Sequence, residues 1–333
     1  MPSGWLPSRG PLGPGTGNAP THMPFSYTSY WSGLYTLGLV DASTQIMTDR
    51  VPPRIQAFRD ALVKGLPRVP NDRVSRQSLE AMPTHRLILA FVTWRMRLIP
   101  TKPRRVIFWS PGVTPLEARV AQSKLRPLLE AVNRGWDLTH YLSDRVNTVG
   151  VDLSQARPGT RRRDIDMVLT RHGLHHFHVG IRGSANPKGR SGSLVFAEVL
   201  EKEFRVVALS DHRAFAPGTA EQLRFFQICH AYMAKDVPPG QAFMTTPVMA
   251  SGHSMLVTKF ADRCDDEMRR LDPLLDDPEF VDKLYNDQPI LRDGQPVIRR
   301  AKPSLTWHFE DLQFGILDRR SMVFFCIFPF FAR

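Results

Sequence analysis

Four of the chain's eleven histidines, His172, His175, His176 and His178, fall inside seven residues. If this stretch is a strand, alternate side chains share a face, so His176 and His178 point one way and His175 and Phe177 the other. Two imidazoles on one face can begin a divalent-metal site, which needs a third ligand. His212 is the nearest such histidine in the sequence, with His140, His253 and His308 as more distant alternatives. A second group of chemical residues follows: Arg182, Lys188 and Arg190, then Asp211-His212-Arg213 at the end of an apolar run. An imidazole among guanidinium groups suits phosphodiester cleavage without a metal. The imidazole transfers a proton, and the arginines hold the phosphate and stabilise developing charge. The plainer alternative makes the histidines hydrogen-bonded structural residues and Asp211-His212-Arg213 a polar strand end with ordinary ion pairs.

These residues must be carried by the elements of about 164–215. A short helix, Asp164 to Thr170, is led in by Arg161-Arg162-Arg163. Three strands are expected, at about 175–182, 193–200 and 204–209. A polar, basic linker (183–192) and the charged turn Glu201-Lys202-Glu203 join them into an antiparallel meander. In that layout His176 and His178 open the first strand and His212 closes the third. They then lie at opposite ends of the sheet, about 25 Å apart for strands of seven or eight residues, and cannot share one ion. The residues assigned to catalysis are accordingly His212, Arg190 and Arg182. Arg213, Lys188, Arg161, Arg162 and Arg163 are assigned to substrate binding. No metal is assigned; the alternative is a divalent metal on His176 and His178.

The rest of the chain frames this centre. Residues 1–24 read as a disordered leader rich in Pro, Gly and Ser, and 25–31 as an aromatic strand. A helix is expected over Arg54–Lys64 and an apolar element of either kind around 87–92. A strand follows at 106–109. Thr114-Pro115-Leu116-Glu117 has the pattern of a capping box, and the helix it opens should split at Pro127 and end at Gly135. After the meander, helices are expected over 219–233, 259–271 and 278–285, and strands over 304–309, 312–317 and 322–328. The domain reading is a basic, mainly helical region over 25–150, the helix–meander over 151–216 and an α+β region over 217–333. The fold class is α+β, with a central antiparallel β-meander and helices.

Charge separates these regions. Residues 1–150 carry 19 Lys+Arg against 9 Asp+Glu, 151–213 carry 11 against 7, and 214–333 carry 14 against 16, which together make the net +12. A one-sided basic field suits RNA or DNA. The acidic run from Asp262 to Asp277 reads as a solvated helix face able to pair with the basic half, within the chain or between copies. Three scattered cysteines without a CxxC pair argue against a disulfide framework or a thiolate zinc site and for a reducing, cytoplasmic setting. No apolar run is long enough to span a membrane. No phosphate-binding glycine loop or dinucleotide fingerprint is present, so no nucleotide cofactor is expected. Ser251-Gly252-His253-Ser254 is not the Gly-x-Ser-x-Gly elbow of hydrolases.

Ser193-Leu194-Val195-Phe196-Ala197-Glu198-Val199, the charged turn, Phe204-Arg205-Val206-Val207-Ala208-Leu209 and Asp211-His212-Arg213-Ala214-Phe215 together resemble the closing strands of RelE-type toxins, including the YoeB branch. The resemblance covers some 50 residues. It implies a small antiparallel sheet with helices packed on it, and messenger RNA cleavage without a metal. His212 would match the family's catalytic histidine, Phe215 would lie near its terminal aromatic position, and Asp166 is the candidate for its acidic base. Ser193 stands where the family usually has an arginine, Arg190 lies three residues earlier, and the histidine cluster lies outside the family pattern. The expected function is nucleic-acid binding with metal-independent endoribonuclease activity, and with an antitoxin or a second copy as partner. The alternatives are a metal-dependent hydrolase using His176 and His178, and a non-enzymatic mobile-element or defence accessory protein.

Overall fold

A computed structural model describes residues 28–30, 51–154, 162–180, 192–242, 245, 247–286, 291–292, 295–297 and 299–330. The leader, Arg161, Arg182, Lys188 and Arg190 lie outside the described residues. In chain order the elements are β1 (Thr28–Tyr30), α1 (Pro53–Gly65), β2 (Arg68–Val69), α2 (Arg73–Glu80), α3 (Thr84–Arg95), β3 (Arg105–Phe108) and α4 (Pro115–Arg134). Next come β4 (Val151–Asp152), α5 (Met167–His172), β5 (His175–His178), β6 (Ser193–Val199), β7 (Glu203–Asp211) and α6 (Ala220–Met233). The chain then forms α7 (Met255–Leu271), α8 (Pro278–Asn286), β8 (Leu291–Arg292), β9 (Gln295–Pro296), β10 (Leu305–Glu310), β11 (Gln313–Asp318) and β12 (Val323–Pro329). The class is α+β, and the meander is present as β5-β6-β7.

Three main hydrophobic cores organise these elements, one in the first and last parts of the chain and one on each face of the central sheet. One gathers α1 and α3 from the first half with α7, α8 and the β10–β12 hairpins, through residues such as Leu87, Ile88, Met268, Phe314 and Phe325. The alternating pattern of β10 buries Leu305, Trp307 and Phe309 on one face. The acidic run pairs inside this half: Arg54 reaches Asp272 at 3.0 Å and Asp276 at 2.7 Å. β1 joins the same sheet alongside β12, in parallel.

The other two cores are built on the sheet β3-β7-β6-β5. β3 adds to the meander in parallel with β7, so the sheet recruits a strand 67 residues upstream of its first histidine strand (108 to 175). One face carries Phe177, Val195, Phe204 and Val206 and packs on Leu125, Leu128 and Val132 of α4. The other carries Leu194, Phe196, Val207 and Ala208 and packs on Val168 of α5 and Phe225, Cys229 and Tyr232 of α6. His176 and Phe177 therefore face opposite layers, as the period of two requires.

α4 is one helix, against the expected split at Pro127. The capping box at Thr114 is formed, with Glu117 N–H donating to Thr114 Oγ1 at 3.2 Å and Thr114 N–H to Glu117 Oε2 at 2.8 Å. Pro127 is exposed, while Leu125, Leu128, Ala131 and Val132 anchor the helix on both sides of it. A missing N–H on the solvent side is tolerable when burial holds both turns. Gly135 ends the helix at φ 68°, the left-handed conformation that favours glycine. Among the described residues no helix is long and apolar enough to cross a membrane.

Candidate functional site

The site forms where β5 and β7 end and β6 begins. β5 has only four residues, and Gly180 follows soon after it. His178 is therefore the last residue of the first strand, not an early one. It pairs with Leu194, which pairs with Ser210, and the adjacent Ser193 pairs with Asp211. The third strand runs parallel to the first, so His212 emerges at the same end as His178. The expected separation of about 25 Å is overturned: the His178 and His212 rings lie 5.4 Å apart, and those of His176 and His178 5.7 Å apart.

Phe215 closes the group. A 3-10 turn spans His212–Phe215 and is capped by Asp211, whose carboxylate accepts from the Arg213 N–H at 2.8 Å. The turn brings Phe215 to 5.5 Å from His176 and 6.4 Å from His212. Phe215 rests in turn on Phe196, which packs at 4.2 Å against Phe225 of α6. Aromatic packing of this kind holds side chains in fixed rotamers, here around three imidazoles.

Asp166 sits behind His176. It caps α5, accepting from the N–H groups of Val168 and Leu169. The helix is short and Gly173 (φ 67°) turns the chain directly into β5, so the cap returns beside the strand. Asp166 Oδ2 is 3.0 Å from Nδ1 of His176, and both side chains are largely buried. Burial would push the Asp166 carboxyl up, but the His176 contact and the capping N–H groups outweigh it and hold it at about 2. A carboxylate this close to a ring nitrogen helps to orient the imidazole.

The other two clustered histidines pack away from this group. His175 points to the opposite face, with Nε2 3.0 Å from the Met96 carbonyl oxygen, and burial lowers it to about 4. His172 packs on Phe225 and Phe226 and is lowered to about 4, again by burial. His140, His253 and His308 are elsewhere, against Tyr141, Thr93 and Phe324 respectively. Ser254 caps α7. Among the described residues no group of three or more His, Cys, Asp or Glu side chains is placed to hold a metal ion.

The described arginines of the expected binding set are held by carboxylates of this chain. Arg162 pairs with the buried Asp164 at 2.6 Å, Arg163 with Asp152 at 2.8 Å and Arg213 with Asp211 at 2.8 Å. Arg213 remains 72% exposed at the mouth of the site and still presents guanidinium N–H groups to solvent. Lys124 of α4 reaches the same end from the other face, 3.2 Å from Ser193 Oγ. Arg182, Lys188 and Arg190 lie in the connection from β5 to β6, outside the described residues.

Sequence reasoning underrated His178, which it used only for the metal alternative, and treated Asp166 only as a base candidate. The signal for both was the glycine spacing. Gly173 and Gly180 bracket a short strand, and a short strand puts His178 at its end. No family model, curated protein or solved structure matches this chain.

Proposed function

We propose that this chain is a nucleic-acid-binding protein and a metal-independent, RelE-like endoribonuclease. The observation that carries this reading is the pair His178–His212, ring against ring at the mouth of the sheet, with His176 anchored on Asp166 beside them. RNA supplies its own nucleophile. One imidazole takes the proton of the 2′-hydroxyl as its oxygen attacks phosphorus. The other, protonated, gives its proton to the 5′-oxygen as the P–O5′ bond breaks. The products are a 2′,3′-cyclic phosphate and a 5′-hydroxyl, and atoms and charge balance without a co-reactant. His212, exposed at the rim, is the group best able to meet the leaving oxygen. Arg213, 72% exposed beside Asp211, offers guanidinium N–H groups to the phosphate. The basic excess over residues 1–213 supports binding of the polyanion.

One specific arrangement favours a second reading, a divalent-metal hydrolase. Three imidazoles share one face, and one of them is backed by a carboxylate in the manner of a metal-ligand histidine. Among the described residues no group of three or more His, Cys, Asp or Glu side chains completes such a site.

Cleavage of a single-stranded RNA by the purified chain, with and without EDTA, separates these readings. Cyclic-phosphate ends formed at an unchanged rate in EDTA, with an all-DNA strand left intact, are expected. His212→Ala should slow the reaction by about 100-fold or more, the range of general acid–base catalysis. Loss of cleavage in EDTA would place the chemistry on a metal instead, and intact RNA under every condition would leave the accessory-protein reading.

A further inference from the structure

We propose that the free edge of β3, with the groove between it and α4, is a docking site for an extended, acidic segment of another protein. β3 is an outer strand of its sheet, with β7 on its inner side and no further described strand on the other. The parallel register sends the N–H groups of Arg105 and Trp109 inward, to the carbonyls of Lys202 and Val206. By alternation, the N–H and C=O groups of Val106 and Phe108 face outward, where an added strand can bond to them. A groove of about 560 Å³ runs along α4 and meets β3 at Phe108. Its floor is Phe108, Leu125 and Leu129, and its α4 wall repeats along one helical face through Ala118, Gln122 and Arg126.

Charge selects the occupant. Arg119 and Arg126 line the groove and are exposed. Glu130, the lining carboxylate, is paired with Arg134 at 2.8 Å. The groove therefore presents cations along a strip whose floor is apolar and which meets β3 at Phe108, beside an edge with no further described strand. An extended chain places alternate side chains on alternate sides. A segment in which apolar and acidic residues alternate can fill the floor, meet the arginines and hydrogen-bond to β3 together, which is strand addition with side-chain selection. This inference does not depend on the catalytic reading, because the groove lies on the α4 face and the histidines on the α6 face.

The probe is a fluorescein-labelled peptide of eight residues in which valine and glutamate alternate, titrated with the full chain and followed by anisotropy. A lysine-for-glutamate version and an N-methylated version are its controls. Arg119 and Arg126 are surface residues, so Arg119→Glu/Arg126→Glu should fold, as circular dichroism can verify. The acidic peptide should bind and lose at least tenfold in affinity to this variant, while the lysine peptide gains affinity for it. N-methylation, which removes the strand hydrogen bonds and leaves the charge, should abolish binding. Equal binding of the N-methylated peptide would overturn the proposal, as would no binding of the acidic one. Two further outcomes would do the same: a single-stranded RNA whose affinity falls in the variant while the peptide's does not, or a chain dimer that the variant disperses.

Discussion

Asp166 performs two tasks with one side chain, and substitutions can separate them. As cap it satisfies two N–H groups of α5, and as carboxylate it holds His176. Asparagine is as good a cap as aspartate but carries no charge. Asp166→Asn is therefore expected to lower RNA cleavage by tenfold or more, with only a modest change in thermal midpoint. Asp166→Ala should lose the cap as well, which costs about 1 kcal/mol more. Equal unfolding midpoints and equal rates for the two variants would contradict both roles.

The neutral histidines make a separate prediction about pH. His253 is buried and lowered to about 4, first by burial and then by the nearby Arg162 charge. His175 and His172 are lowered to about 4 as well. Each binds a proton in the unfolded chain near pH 6.5 but not in the folded one until about pH 4. Stability is thus complete above about pH 6.5 and declines as pH falls from 6.5 to 4. For His253 the loss is on the order of 1–3 kcal/mol. Urea midpoints measured from pH 7.5 to 4.5 should fall, and His253→Gln should flatten the fall. A midpoint that does not move over this interval would contradict the assigned burial.

At the scale of elements, close approach of backbones fixes some positions more strictly than the sequence suggests. Gly315 lies at the irregularity between Phe314 and Gly315 in the β11–β12 pairing. A Cβ there would come within 2.0 Å of the Phe325 carbonyl oxygen, a backbone atom that cannot swing away. Gly315→Ala is expected to destabilise the chain by about 1–3 kcal/mol, as overpacking does, read from denaturant midpoints at unchanged slope. Gly65→Ala, at a position where nothing lies within 4 Å of the added Cβ, serves as the control and should be near neutral. If the two behave alike, the described packing of β11 on β12 is wrong.

Much of this level was legible in the sequence. The capping box at Thr114, the terminator Gly135 and the apolar runs of β6, β7 and β10–β12 all depend on short-range physics. Pro127 was misleading because its effect depends on burial of neighbours that no local pattern reveals. Where β5 stops decided the site, and strand ends are less sharply written than strand cores. Taking the strand to residue 182 in place of His178 separated side chains that in fact touch. The role of β3 was hidden for another reason. A parallel partner far upstream leaves no periodic mark in either strand.

At the scale of the whole molecule, the chain folds back on itself. Its first helices share one core with α7, α8 and the last strands, and the segment between α3 and α7 builds the central sheet with a core on each face. The seam is polar: Trp94 Nε1 donates to the Val146 carbonyl at 2.9 Å, and the buried Arg97 donates to that of Val149. Arg97 has lost its water, which lowers its pKa, with the charges of Asp164 and Asp166 opposing the shift. Removing a buried, bonded guanidinium leaves its partners unsatisfied. Arg97→Met is therefore expected to destabilise both halves together, seen as one coincident transition by fluorescence and circular dichroism at a lower midpoint. A transition that splits, with one half unchanged, would mean that the seam carries no coupling.

In the proposed reaction His178 and His212 act as one device at the shared end of the sheet. The most direct measurement is single-turnover RNA cleavage in EDTA by the unaltered chain, His178→Ala, His212→Ala and the double variant. Groups that act as a unit are strongly non-additive. Each single substitution is expected to slow cleavage by about 100-fold or more, and the double variant to be little slower than the worse single one. Cleavage by His178→Ala at the rate of the unaltered chain would contradict that joint action.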